Sequence, residues 1–166
     1  MRFLSGLMLL LPLASPFAHA ELIDEVNDRG ELRIALSADL PPFSFKQDGQ
    51  LTGFDVELGE LLAKELEVKP SLLVTDNDDL LSGLESGKYD VAITPVVMTP
   101  EVEHRFDFTE PYSYTQSQPT VGQAIPLQKG NLAFQASLNN ALQRIKADGR
   151  LAALSQKWLA RDATQP

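Results

Sequence analysis

The sequence predicts an α/β fold: a single lobe with a mostly parallel sheet flanked by helices, and C-terminal helices packed back on it. Short apolar runs at residues 31–36, 71–75 and 90–93 are typical of buried strands. Residues 55–66 and 80–84 lie between them and repeat leucines at helical spacing. Strands that alternate with helices in this way predict a parallel sheet covered on both sides. The chain has 166 residues and no cysteine, so its core has to supply the stability without disulfides.

The first 20 residues have the pattern of a secretory signal peptide. Arg2 supplies a positive charge, residues 3–13 form an apolar run, and Ala18-His19-Ala20 is a small-residue cleavage site. The apolar run is too short to span a bilayer, so we expect cleavage, a periplasmic protein and no membrane insertion. We expect the lobe to occupy residues 21–160 and a polar tail to occupy residues 161–166.

The remaining elements are predicted from their end signals. A short helix over residues 21–29 ends at Gly30, and a proline-rich loop follows the first strand. Thr99 precedes Pro100, a pair that caps and opens a helix. The chain then returns to an extended segment at residues 106–108. Two helices near the C-terminus are predicted by apolar positions that repeat at helical spacing.

Composition argues against several classes of function. The chain carries 14 basic and 23 acidic residues, a net charge of −9, which disfavours binding to nucleic acid or to anionic membranes. Without cysteine, and with His104 as the one histidine outside the signal segment, we expect no metal site and no cofactor. The aspartates are scattered as caps and turn residues, so we expect no catalytic residue.

An ordered set of motifs resembles the amino-acid-type members of the bacterial extracellular solute-binding proteins, family 3. The resemblance runs through residues 31–112 and again through residues 129–159. Its motifs are Pro42-Phe43-Ser44-Phe45, Leu51-Thr52-Gly53-Phe54-Asp55, Ser86-Gly87-Lys88-Tyr89-Asp90 and Asp107-Phe108-Thr109-Glu110-Pro111-Tyr112. The resemblance implies a periplasmic protein that binds a small solute between two lobes.

One lobe of that architecture is missing from this sequence. The family carries its second α/β lobe between the positions of Tyr112 and Lys129, where this chain has only residues 113–128. A strand–helix–strand unit does not fit there, because a crossover alone takes about a dozen residues. We therefore expect a shortcut at Thr115–Gln118 and a strand at Val121–Leu127 that returns to the sheet.

The residues that hold a ligand carboxylate in the family are also replaced. The resemblance places Val102 where the family has its carboxylate-binding arginine, and Pro95 where a glycine N–H reaches the ligand. Val97 replaces a hydroxyl residue, and Leu40 replaces an aromatic that stacks on the ligand. Arg105 lies about one helical turn beyond Val102 and is not expected to substitute for the arginine.

Two groups of residues are left as candidate sites. The residual ligand-binding residues are Asp39, Phe43 and Tyr112. Removal of the second lobe would also uncover an apolar face, and such a face commonly marks an interface. Its candidate interface residues are Leu40, Phe45, Pro95, Val97, Met98, Val102 and Tyr114.

These observations support three hypotheses of function. The preferred one is a non-catalytic binding or regulatory module that docks a protein partner, or a second copy of itself, through the former cleft face. The alternative, implied by the resemblance, is the solute-binding component of an ABC importer for amino acids or other small polar solutes. The weakest is an enzyme of dehydratase or cell-wall type, because no acid–base pair is evident.

Overall fold

The computed structural model describes residues 21–96, 99–114 and 122–165, without the side chain of Asn77. The helices are α1 Leu22–Arg29, α2 Phe54–Glu65, α3 Asn77–Glu85, α4 Pro100–Arg105, α5 Leu132–Ala147 and α6 Arg150–Leu159. The strands are β1 Glu31–Leu36, β2 Asp39–Leu40, β3 Ser44–Gln47, β4 Gln50–Thr52, β5 Lys69–Val74, β6 Val91–Ala92, β7 Phe106–Phe108, β8 Ser113–Tyr114, β9 Gly122–Gln123 and β10 Pro126–Gln128.

Five strands form the central sheet, in the order β5-β1-β6-β10-β7. β1 runs parallel to β5 along its full length and parallel to β6 on its other side. β10 is antiparallel to both β6 and β7. At the β5 edge, the N–H of Lys69 donates to Gly30 O and the N–H of Thr75 donates to Leu36 O, each at 3.0 Å. The predicted α/β fold with a mostly parallel sheet is confirmed.

The sheet divides the core into two clusters. Alternate residues of a strand point to opposite faces, so Ile34 and Val91 join one cluster while Ala35 and Ala92 join the other. The larger cluster is covered by α1, α2, α5 and α6, and the smaller one contains α3 residues Leu80 and Leu84. The C-terminal helices therefore pack back on the sheet, as the sequence predicted.

The N-terminus of α2 is held by the proline-rich loop. The backbone N–H of Phe54 donates to Pro42 O at 3.0 Å, and that of Asp55 donates to Phe43 O at 2.8 Å. Gly53 makes this approach feasible, since it has φ +131° and a Cβ there would lie 2.1 Å from Phe43 O. The Pro42-Phe43 and Gly53-Phe54-Asp55 motifs thus form one structural unit.

The described part of residues 113–128 differs from the single strand predicted at Val121–Leu127. Thr115–Gln118 and Val121 lie outside the described residues. β9 pairs with β8 in a separate ribbon, and only β10 enters the central sheet. Just before β10, the hydroxyl of Thr109 accepts from the N–H of Ile125 at 3.0 Å, and the N–H of Thr109 donates to Ile125 O at 3.0 Å. The predicted strand Val121–Leu127 is therefore divided into two.

The described part of residues 161–166 packs against the lobe, although the sequence predicted a polar tail. The side chains of Ala163 and Thr164 are buried, and Ala163 O accepts from the N–H of Tyr114 at 2.8 Å. The buried Ser155 hydroxyl donates to Arg161 O at 2.7 Å and accepts from the N–H of Ala163 at 2.8 Å. These contacts join the chain end to α6 and β8.

Candidate functional site

The candidate site lies at the carboxyl edge of the parallel strands. β1 ends at Leu36 and its parallel neighbour β5 ends at Val74, so the loops that follow both strands meet at the same edge. In open α/β sheets, ligands bind in the crevice outside the carboxyl ends of the strands. The chain leaves β1 toward β5 on one side, and β6 lies on the other, so the topological switch point of the sheet falls between β1 and β6 at this same edge.

A cavity of about 330 Å³ opens at this edge. Its volume is at the lower end of the range found for small-molecule sites. We call it the edge pocket, and its lining residues are Ser37, Ala38, Asp39, Lys46, Val74, Thr75 and Asp76.

The polar groups of the edge pocket carry both signs of charge. Asp39 and Asp76 are exposed carboxylates, and Lys46 is an exposed ammonium group. The buried Ser37 hydroxyl donates to Asp39 Oδ1 and so orients that carboxylate. Asp76 precedes α3 at its N-cap position but makes no side-chain capping bond, so its carboxylate is not engaged by the α3 backbone. The pocket can therefore present carboxylates to a cationic group and an ammonium to an anionic one.

The structure separates the three residual ligand-binding candidates. Asp39 lines the edge pocket. Phe43 is half-buried and meets Phe54 edge to face, with ring centroids 6.4 Å apart. Tyr112 is only 1% exposed and stacks on Phe54, with ring centroids 6.1 Å apart. Tyr112 is buried, and Phe43 does not line the edge pocket. Of the three candidates, Asp39 therefore lines it alone.

Val102, Arg105 and Pro95 are the residues discussed in connection with the family's expected carboxylate clamp. Val102 is half-buried and packs against the smaller core cluster. Arg105 Nη2 lies 2.6 Å from Glu85 Oε2, so its guanidinium is held in an ion pair. Pro95 is exposed and has no N–H to offer.

The structure describes five of the seven candidate interface residues. Val97 and Met98 lie outside the described residues. Leu40, Phe45 and Tyr114 are half-buried, and the ring of Phe45 packs edge-on against Trp158 at 6.0 Å. Pro95 and Val102 follow β6 at the carboxyl edge instead. The docking role assigned to this face stays a prediction.

Sequence reasoning missed four polar residues of the edge pocket. Ser37, Thr75 and Asp76 directly follow the ends of β1 and β5, and Lys46 comes from β3. Asp76 was read as part of a helix cap. A signal was available, because polar residues just beyond neighbouring parallel strands converge at one edge.

Asp55 and Tyr112 form a buried polar pair that the sequence did not reveal. The Asp55 side chain is fully buried, and neither carboxylate oxygen has a hydrogen-bond partner among the described residues. Burial raises the pKa of Asp55 well above its usual range. Burial, with the nearby charge of Asp55, also raises the pKa of Tyr112 well above its usual value. A carboxyl group in this environment favours its neutral form.

Comparison with known proteins gives the family. Residues 32–161 match the family described as bacterial extracellular solute-binding proteins, family 3. The chain belongs to this family. The assignment to family 3 made from its motifs is therefore confirmed.

Three proteins illustrate what this family 3 chain is similar to. The L-cystine-binding protein TcyJ of Escherichia coli (strain K12) is 42% identical over 106 residues, which cover 63% of this chain and 40% of that protein. This chain therefore spans about two fifths of the length of the curated relatives it matches first. The arginine-bound form of domain 1 from TmArgBP is 31% identical with a TM-score of 0.69, covering 73% of this chain and 98% of that one.

The third similarity concerns the fold alone. The L-cystine solute receptor of Neisseria gonorrhoeae, in its unliganded open conformation, aligns with a TM-score of 0.80 at 21% identity. The alignment covers 89% of this chain and 100% of that chain.

The described residues also bear on metals and membranes. Residues 21–96, 99–114 and 122–165 contain no group of three or more histidine, aspartate or glutamate side chains placed to hold a metal ion. No helix in that part of the chain is long and apolar enough to cross a membrane. The signal peptide lies at residues 1–20, outside the described part, and stays a prediction, as does the expectation that the protein is not an enzyme.

Proposed function

We propose that this protein is the solute-binding component of an importer for amino acids or related small polar solutes, and that the edge pocket holds the solute. The observation that carries the proposal is a cavity with two carboxylates and an ammonium at the carboxyl edge of a family 3 lobe. Its relatives include amino-acid-binding proteins, among them an L-arginine-binding protein of Pseudomonas aeruginosa. The docking hypothesis preferred from sequence alone has weaker support.

A ligand site on one lobe has a precedent among the similar structures. Domain 1 from TmArgBP is described in an arginine-bound form, and 98% of that domain aligns with this chain. In the part of this chain that the structure describes, the edge pocket likewise lies at the edge of a single sheet. A binding experiment can therefore test the edge pocket in this chain on its own.

The charges of the edge pocket indicate which solutes fit. Asp39 and Asp76 favour a solute with an ammonium or guanidinium group, since ionised partners make the stronger hydrogen bonds. The family's carboxylate-binding arginine is replaced by Val102, so Lys46 is the basic residue of the pocket that would meet a carboxylate. We propose cationic amino acids as the first class to test.

Titration calorimetry of the purified protein with L-arginine tests the proposal. We expect saturable heat for L-arginine and much weaker heat for L-glutamate. Asp39→Asn should weaken arginine binding about tenfold or more, which corresponds to about 1.4 kcal/mol. Asp48→Asn, in the exposed turn after β3, is the matched control and should bind like the parent chain. No saturable heat from any amino acid, in a protein that unfolds cooperatively, would contradict the proposal.

A docking role is the second candidate, because Pro95 is exposed and Val96 is half-exposed beside the carboxyl edge. The partner would be a protein or a second copy of this chain. Sedimentation of the protein across a concentration series tests self-association, and Pro95→Asp should weaken any dimer. A monomer at all concentrations would count against self-docking.

A further inference from the structure

A groove of about 600 Å³ lies between α2 and α6, and we call it the helix groove. It shares no lining residue with the edge pocket. Its apolar lining comes from Leu61 of α2 and from Ala153 and Leu154 of α6. Ala153 is exposed and its side chain ends at Cβ, so an opposing side chain can come close to the α6 backbone there. The groove therefore has the shape and the lining against which another helix packs.

Ion pairs hold the two walls of the helix groove together. Lys157, in the last turn of α6, pairs with Glu57 in the first turn of α2. Arg150, the first residue of α6, pairs with Glu65 at the end of α2, with 2.6 Å between Nη2 and Oε1. The two helices therefore run in opposite directions. Because these pairs fix the spacing of the walls before a partner binds, docking has a lower entropic cost.

Two other charged residues of the helix groove make no ion pair with a described residue. Glu60 and Lys64 of α2 line the groove, and both are exposed. Neither takes part in an ion pair within the part of the chain that the structure describes. Residues four apart lie on the same side of a helix, about one turn from each other. The α2 wall therefore presents a negative and a positive charge side by side.

This charge pattern is complementary to itself. When a two-fold axis brings two copies of α2 together in antiparallel orientation, Glu60 of each copy faces Lys64 of the other. The groove is also nearly neutral, since its charged lining residues are two carboxylates and three cationic groups, whereas the whole chain has a net charge of −9. Two copies that meet through this groove therefore avoid much of the repulsion between acidic surfaces.

We propose that the helix groove is the interface of a two-fold symmetric dimer of this protein. The two α2 helices pack antiparallel across the axis, and Glu60 of each copy pairs with Lys64 of the other. The contact covers the apolar lining at Leu61 and Ala153. This interface is separate from the edge pocket and does not depend on the function proposed for it. It is also separate from Pro95, which belongs to the second candidate function.

Charge reversal tests the interface, with sedimentation velocity over a concentration series as the measurement. In a dimer of Glu60→Lys, lysines face each other, and in a dimer of Lys64→Glu, glutamates do. Each variant alone should therefore have a dimer dissociation constant about tenfold higher than the parent chain, or more. An equimolar mixture of the two variants restores both ion pairs and should dimerise like the parent. A chain that carries both substitutions should do the same.

Glu103→Lys is the matched control, because it makes the same change of charge at an exposed position of α4, which packs on the other face of the sheet. It should leave the dimer unchanged, as should Pro95→Asp. A parent chain that stays monomeric at millimolar concentration would overturn the proposal. So would a dimer that neither single reversal weakens, or a mixture of the two variants that stays monomeric. None of these outcomes affects the arginine calorimetry of the edge pocket, so the two proposals fail separately.

Discussion

Asp55 is the residue whose charge state should most affect stability. Its pKa is raised by burial in the folded protein, so the folded state holds a proton that the unfolded state releases above about pH 4. The contribution of Asp55 to the free energy of unfolding therefore falls as pH rises from about 4 toward the raised pKa. We expect Asp55→Asn to stabilise the protein, by an amount that grows with pH across this window.

Urea unfolding at pH 4, 6 and 8 measures this effect. The quantity compared is the difference in unfolding free energy between Asp55→Asn and the parent chain. Asp48→Asn, which removes an exposed carboxylate, serves as the control. A gain from Asp55→Asn that is the same at all three pH values would show that Asp55 is ionised in the folded protein.

Asp90 is buried at the opposite edge of the sheet and depends on its partners. Its carboxylate oxygens lie 2.5 Å from Arg29 Nη2 and 2.7 Å from Arg33 Nη2, and it also accepts from the N–H of Arg33. Asp90→Ala leaves two arginines without their counter-charge, and we expect a loss of about 3 kcal/mol in the free energy of unfolding. Denaturant unfolding measures it.

The control for Asp90 is an exposed ion pair on the same protein. Glu85→Gln breaks the contact with Arg105, and both side chains are open to solvent. Solvent screens such pairs, so we expect almost no change in unfolding free energy. Equal losses of unfolding free energy in Asp90→Ala and Glu85→Gln would show that the buried Asp90 carboxylate contributes no more to stability than an exposed ion pair.

At the scale of elements, the hydroxyl of Ser155 makes two of the hydrogen bonds that attach the chain end. Ser155 bonds Arg161 O and the N–H of Ala163, and Ala163 O in turn accepts from the N–H of Tyr114. Ser155→Ala leaves two buried backbone groups without a partner, at a cost of about 1–3 kcal/mol. We expect the Tyr114 amide to exchange its hydrogen faster in this variant, as measured by NMR.

Ser137→Ala is the matched control for this element. The Ser137 hydroxyl bonds Ala133 O within α5 and is more exposed than that of Ser155. We expect unchanged exchange at Tyr114 in this variant. Protection of Tyr114 that survives Ser155→Ala would mean that the chain end is held by other contacts.

The elements also show which parts of the fold the sequence could predict. β1 and α2 were predicted because the spacing of their apolar residues indicates which face of each element is buried. Thr99 was predicted to cap α4, and its hydroxyl accepts from the N–H of Val102 at 3.3 Å. The packed chain end was missed because Ser155 and Arg161 hold it through hydrogen bonds that leave no periodic pattern. The separation of β9 from β10 was missed because β9 pairs with β8 while β10 pairs with β7, and such pairings leave no local pattern in the sequence.

The same difference, between local patterns and contacts distant in sequence, explains which residues of the candidate site were predicted. Asp39 was predicted as a residual ligand-binding residue from the family resemblance, while Lys46 enters the edge pocket because β3 folds against β2. Asp55 was read as a residue at a helix start. Its burial results from the loop at Phe43, whose carbonyl accepts the Asp55 N–H, and from the packing of Phe54 against Tyr112.

At the scale of the whole molecule, we expect a single cooperative unfolding transition. The larger core cluster includes residues of α1, α2, α5 and α6 and the inner sheet strands, so these elements share one set of contacts. Trp158 emission reports α6, and far-UV circular dichroism reports all helices and strands. Their thermal transitions should coincide. Earlier loss of the Trp158 signal would show that the C-terminal helices unfold as a separate unit.

The outer edge of β5 has a consequence for aggregation. The N–H groups of Lys69 and Thr75 point inward to β1, so by alternation the position of Pro70 faces outward, where proline offers no N–H. A proline and a lysine on an edge strand discourage pairing with a strand of another molecule. We therefore expect the lobe to resist pairing through this edge, and Pro70→Thr should raise light scattering in concentrated solution by restoring a donor there.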